Sequence, residues 1–193
     1  MMILLKLPNI SVRNGDDNII DKDISIIKQS DNDYPEKLRK IKNPPKELWI
    51  CGNKEILKKP IIAIVGSRKC SEYGRKYARE FARVLSKNGM CIISGLAIGI
   101  DTIVHESSMN ELGKTIAVIA SGFNKIMPAE NRELADEIIE KGGAVINEVG
   151  TYLAENAENY PKRNRILVGL SDAIIVIEAR LRSGSTLTGR MRT

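Results

Sequence analysis

"IIAIVGSRKC", residues 61–70, carries five apolar residues into Gly66 and then presents Ser67 and Arg68. A β-branched run that is apolar at every position, rather than at alternate ones, marks a strand buried on both faces, as in a parallel sheet. Such a strand ending in a small residue, a hydroxyl and a guanidinium points to an anion site more than to a mere turn. Glycine there lets a backbone N–H approach an anion with no Cβ in the way.

The same pattern repeats downstream. Runs at 61–65, 90–94, 115–120, 144–147 and 173–178 read as strands. Between them Tyr73, Tyr77, Phe81, Val84 and Leu85 recur at helical spacing, closed by Gly89, and 101–112, 131–141 and 163–170 supply further helices. Strands and helices alternating with short connections predict an α/β fold with a doubly wound, mainly parallel sheet. This core occupies residues 60–188, behind a lead-in arm at 34–59 whose apolar run at 48–51 reads as a leading strand or a packed arm. Residues 1–33 are acidic and weakly patterned, an amino-terminal extension too short for a domain of its own but able to pair as a hairpin.

In such a fold ligands sit outside the carboxyl ends of the strands. Those ends read "GSR" (Gly66, Ser67, Arg68), "SGLAIGID" (Ser94 to Asp101, with Gly95 and Gly99), "ASGFNK" (120–125) and "EARLRSGSTLT" (178–188, with Ser183, Gly184 and Ser185). Each glycine turn alone can be simple tight turning; four at one sheet edge point to phosphate. Gly95 and Gly99 lie four apart, so the GxGxxG spacing of dinucleotide sites is missing, and no Walker lysine follows. "YPKRNRILVGLS", residues 160–171, places Lys162, Arg163, Asn164 and Arg165 at a helix start. Cations there are disfavoured by the helix dipole unless an anion or a carboxylate offsets them. Glu148 and Glu178, at strand ends on the same rim, are the internal candidates, and a bound anion is the external one.

Composition narrows the anion. The chain has 193 residues and a net charge of +6, and residues 160–193 hold seven bases against two acids. A polyanionic partner agrees with this balance. One Trp, five Tyr and two Phe leave little material for base-stacking platforms, so a nucleic acid would be held mainly by its backbone. Three cysteines with no CxxC or His/Cys cluster argue against a disulfide framework or a zinc site, and a reduced, cytoplasmic setting is the default. No run of about 18 apolar residues exists, so no membrane span is expected. Neither a metal nor a cofactor is called for.

The sole histidine, His105, follows Asp101 by four residues, so both share one helical face. An Asp-supported His is one way to build a general base. No cysteine nucleophile or GxSxG serine accompanies it, and the alternative is that the two brace the glycine loop, with Asp101 capping the helix.

Read in order, "YPEKL", "NPP", "IAIVGSR", "SGLAIGID" with His105, "GKTIAV", "RNRILVGLS", "VIEA" and "SGSTLT" resemble the DNA-processing protein A (DprA, or Smf) family over residues 34–188. The resemblance implies an extended Rossmann-like domain, of the DprA/SLOG type, that binds single-stranded DNA, protects it and helps load the RecA recombinase in natural transformation, with no catalytic turnover. Carried onto this chain, the DNA contacts would be Ser67 and Arg68, the turn from Gly95 to Gly99, Lys162 to Arg165, and Ser183 to Ser185. A homodimer is implied as well, through a later part of the domain. Here the sequence ends at "TGRMRT", where the family continues through a further helix and strand, so the sheet is expected to lack an edge strand. The competing expectation is a nucleotide-processing enzyme similar to the LOG phosphoribohydrolases, holding one phosphate on the same rim with Glu178 as catalytic carboxylate. That family's PGGxGTxxE signature is absent.

Overall fold

The computed structural model describes residues 24–152 and 158–178. Its centre is one seven-stranded sheet. The strands are β1 (Ile24–Lys28), β2 (Glu47–Gly52), β3 (Ile61–Gly66), β4 (Cys91–Ser94), β5 (Thr115–Val118), β6 (Ala144–Asn147) and β7 (Ala173–Ile177). Their spatial order is β1-β2-β6-β5-β4-β3-β7. The five strands from β6 to β7 are mutually parallel, while β2 pairs antiparallel with β6 and β1 antiparallel with β2. The apolar run at 48–51 is therefore a full sheet strand. Ile24–Lys28, within the stretch read as an extension, is the edge that covers it, with Ile26 opposite Trp49.

Five helices clothe the sheet: α1 (Glu36–Arg39), α2 (Glu72–Lys87), α3 (Ile100–Ser108), α4 (Arg132–Glu140) and α5 (Asn159–Leu170). The period-2 alternation of side chains assigns each strand residue to a face. Ile61, Ala63 and Val65 of β3 join Leu38 of α1 and Ile166, Leu167 and Leu170 of α5. Ile64, one position out of phase, joins Ala78 and Ala82 of α2 and Ile100, Ile103 and Val104 of α3. Farther along that second face, Ala117 and Val145 pack on Leu134, Ala135 and Ile138 of α4. Two-sided burial is why the central strands read as unbroken apolar runs.

Helix α2 packs differently from its sequence signature. The residues at helical spacing are Tyr73, Tyr77, Phe81 and Val84, yet its buried face is Gly74, Ala78, Ala82 and Ser86. Small side chains let α2 approach α3 and the sheet closely, and the Ser86 hydroxyl donates to the Ser108 carbonyl oxygen at 3.1 Å. The large residues are left beside that face, where Tyr73, Phe81 and Val84 are exposed. Among the described residues no helix is long and apolar enough to cross a membrane.

Candidate functional site

The parallel strands all end on one edge, and the turn after β3 sets its geometry. Gly66 lies opposite Ile177 of β7, and a Cβ there would stand 2.2 Å from the Ile177 carbonyl oxygen. The Ser67 N–H donates to that same oxygen at 3.2 Å, and the Ser67 carbonyl accepts from Ile100 N at the start of α3. Gly66 thus serves the close approach of β3, β7 and α3 rather than an anion. The Ser67 hydroxyl closes a local turn, donating to the Lys69 carbonyl at 2.9 Å and accepting from Lys69 N–H at 3.1 Å. Arg68 is exposed.

The turn after β4 has an internal anion. Asp101, the second residue of α3, accepts at Oδ2 from the N–H groups of Gly95 at 3.1 Å and Ala97 at 3.3 Å. Its carboxylate braces the glycine loop from the helix, but it does not cap the helix: Gly99, with φ of 94°, is the N-cap, and the carboxylate reaches backward out of the helix. Ser94, read as a phosphate donor, is fully buried and donates to the Ile64 carbonyl at 2.7 Å. A donor folded between two strands has no access to a ligand.

Arg163 sits beneath this turn. Its helix begins at Asn159, four residues ahead of it, so "KRNR" does not open the helix and the dipole argument loses its premise. Arg163 is 7% exposed, and its Nη1 donates to the Val118 carbonyl at the end of β5, 2.9 Å away. A Cβ on Gly95 would fall 1.7 Å from that nitrogen, so Gly95 is the gap through which the guanidinium passes. Burial pushes the Asp101 carboxyl up and the Arg163 guanidinium down, and the opposite charges of the two restrain both shifts. The opposite charge that offsets Arg163 is thus the Asp101 carboxylate, the internal candidate role foreseen for Glu148 or Glu178. Arg165 does meet one of those two, with Nη2 2.5 Å from Glu148 Oε2, both mostly buried. Glu178 turns elsewhere. It accepts from the Ser71 N–H at 2.8 Å and from the Ser71 hydroxyl at the head of α2, and these bonds hold its carboxyl below its ordinary value.

His105 is not a solvent-reachable base. It is fully buried, with Nδ1 2.8 Å from Thr115 Oγ1. The single Thr115 hydroxyl proton goes to the Ile92 carbonyl at 2.8 Å, so Nδ1 carries the imidazole proton and Nε2 a lone pair. That Nε2 has no partner among the described residues, and burial, with Arg163 nearby, pulls the pKa down to about 3. The ring is neutral and structural.

What the rim presents outward is a smaller set. Arg68 and Lys162 are exposed and Asn164 is half-buried. Tyr160 lies near both arginines, its ring centroid 5.9 Å from the Arg68 guanidinium carbon and 6.0 Å from that of Arg163. Sequence reading singled out the cations that follow Tyr160 and missed the ring itself. The signal that could have found it is an aromatic residue two positions ahead of a basic cluster on a half-exposed helix start. Ser183, Gly184 and Ser185 lie outside the described residues. No cluster of His, Cys, Asp and Glu suited to a metal ion occurs among the described residues.

The outward ring of Tyr160 suits a flat group and the exposed cations Arg68 and Lys162 suit phosphate, while among the described residues the rim aligns no nucleophile with a base. The family model of DNA recombination-mediator protein A matches residues 25–192. The chain is 40% identical to Protein Smf of Escherichia coli over 157 residues, which cover 81% of this chain and 42% of that protein. It is 41% identical to the DNA processing protein DprA of Streptococcus pneumoniae over 158 residues, 82% of this chain and 55% of that one. This chain therefore spans about half the length of the curated relatives it matches. Among solved structures, the X-ray structure of the Streptococcus pneumoniae DprA superposes with a TM-score of 0.81 at 38% identity, covering 88% of this chain and 59% of that one. DNA processing protein A from Helicobacter pylori, described for its single-stranded DNA binding mode, superposes with a TM-score of 0.79 at 30% identity, over 87% of this chain and 75% of that one.

Proposed function

The chain belongs to the DNA recombination-mediator protein A family, and from that premise we propose that it binds single-stranded DNA on the carboxyl rim of its sheet without chemical turnover. The observation that carries the reading is the half-exposed Tyr160 with the exposed Arg68 guanidinium 5.9 Å from its ring centroid. A ring beside an outward cation offers a base a surface to stack on and a phosphate a charge to meet, which is how single strands are held without reading their sequence. Arg68, Lys162 and Asn164 are the contacts, with Ser67 beside Arg68; Ser183, Gly184 and Ser185 are added on the family resemblance alone. Ser94, Gly95, Asp101, His105, Arg163, Arg165 and Glu148 form the frame beneath. Protection of DNA, loading of RecA, homodimerisation and a cytoplasmic setting belong to the same proposal, drawn from the family resemblance. The enzymatic alternative loses support because Glu178, its carboxylate, is engaged by Ser71.

The test is fluorescence anisotropy of a labelled oligothymidylate over a salt series, beside a duplex of equal length. Binding of the single strand weakens steeply with salt, because release of condensed cations drives phosphate contacts. Salt-insensitive binding, no binding, or release of free base from nucleoside monophosphates overturns the proposal.

A further inference from the structure

Helix α2 carries an exposed aromatic stripe that the core does not use. Tyr73, Tyr77, Phe81 and Val84 step by four, four and three residues, so they share one face. Tyr73 is 68% exposed and Phe81 42%. The rings touch in sequence, with centroids 4.4 Å apart for Tyr73 and Tyr77 and 5.9 Å apart for Tyr77 and Phe81. In a chain with so few aromatic residues, three are spent on one solvent-facing ridge about 16 Å long. Its flank is mixed. Lys76 and, farther round the helix, Arg79 have no ion-pair partner among the described residues, the Lys76 ammonium lies 5.7 Å from the Tyr77 ring centroid, and the exposed Glu80 shares the face of the stripe. The ridge also begins where the rim ends, since Ser71, which caps α2, follows Arg68 by three residues.

We propose that α2 is a second contact surface for single-stranded nucleic acid, on which bases leaving the rim stack against Tyr73, Tyr77 and Phe81 while Lys76 and Arg79 meet the phosphates. The inference rests on the rim being a DNA site and extends the track beyond it. The charge selects this occupant over a second copy of the chain: α2 holds five bases against two acids, so pairing it with itself brings two net-positive helices together, whereas a polyanion neutralises one. Stacking on exposed rings is sequence-tolerant, because every base has a π-face.

The test compares labelled oligothymidylates of about 6 and about 20 nucleotides, a span that brackets one binding surface and more than one. Three proteins are used: the full chain, Tyr73→Ser with Phe81→Ser, and Lys76→Glu with Arg79→Glu, each first shown by urea denaturation to unfold with the parent's cooperativity. The parent binds the longer strand more tightly. Both variants bind the short strand as the parent does and lose about tenfold on the long one, close to one base stack. Loss of affinity for neither length, or equal loss for both, overturns the second surface while leaving the rim intact. A parent that binds neither length overturns the rim reading itself. Sedimentation closes the remaining alternative: a dimer that the serine variant converts to monomer, with unchanged long-strand affinity, assigns the stripe to a second copy and overturns the proposal.

Discussion

At Asp101 a single carboxylate does two jobs: it satisfies the N–H groups of Gly95 and Ala97, and it supplies the charge that keeps Arg163 buried. Asp101→Asn preserves an acceptor and removes the charge that offsets the buried guanidinium, which lowers stability. The urea midpoint of that variant falls accordingly. Adding Arg163→Met recovers part of the loss, because removing both charges is far cheaper than removing one. His105 makes a second prediction. Its pKa is 6.5 unfolded and about 3 in the fold, so below pH 6.5 the unfolded chain binds a proton that the folded one refuses. Stability therefore falls as pH drops from 6.5 towards 3, by about 1.4 kcal/mol per unit at most. Asp101, whose carboxyl burial pushes up, works in the opposite sense and flattens the slope. Urea midpoints between pH 7 and pH 4 check this, and His105→Gln removes the His105 share of the slope.

Among the elements, α2 joins the two halves of the rim. Ser71 caps it, accepting at Oγ from the Gly74 N–H at 3.2 Å, and the same residue donates to Glu178 at the end of β7. Ser71→Ala removes the cap and costs about 1 kcal/mol in chemical denaturation. Its loss also frees one Glu178 oxygen, so the Glu178 carboxyl titrates closer to its ordinary value, which NMR titration reads directly. The extent of α2 was legible in the sequence from its spacing and from Gly89. The face it buries was not, because Gly74, Ala78 and Ala82 carry no hydrophobic signal and the aromatic stripe does. Close packing against α3 rewards small residues there, a preference set by the neighbouring helix. The start of α5 was also missed: it begins at Asn159, with Pro161 in its first turn, where a proline is tolerated but masks the periodicity.

At the scale of the whole molecule, the rim presents few outward cations among the described residues, so each registers in the salt dependence. Arg68→Ala weakens single-strand binding for every sequence about equally and lowers the slope of log affinity against log salt by about 0.7, as loss of one phosphate contact on a single strand requires. Arg165→Ala, by contrast, breaks the Glu148 pair and shows in stability before it shows in binding. The parallel core, its strand runs and the edge proposed to carry the site were determined by the sequence itself, because two-sided burial writes an unbroken apolar run and glycine-rich turns mark the strand ends. Which of those turn residues face outward was decided only by tertiary structure. Gly66, Ser94, Gly95 and Arg163 look in sequence like phosphate ligands, yet the chain uses them to seat β7, Ile64, Asp101 and Val118. "IIAIVGSRKC" shows the reason: a glycine, a hydroxyl and a guanidinium serve an internal carboxylate or carbonyl as readily as an external anion. Only the packing of α3 and α5 under the rim determines that Arg68 is left for solvent while Arg163 is drawn inside.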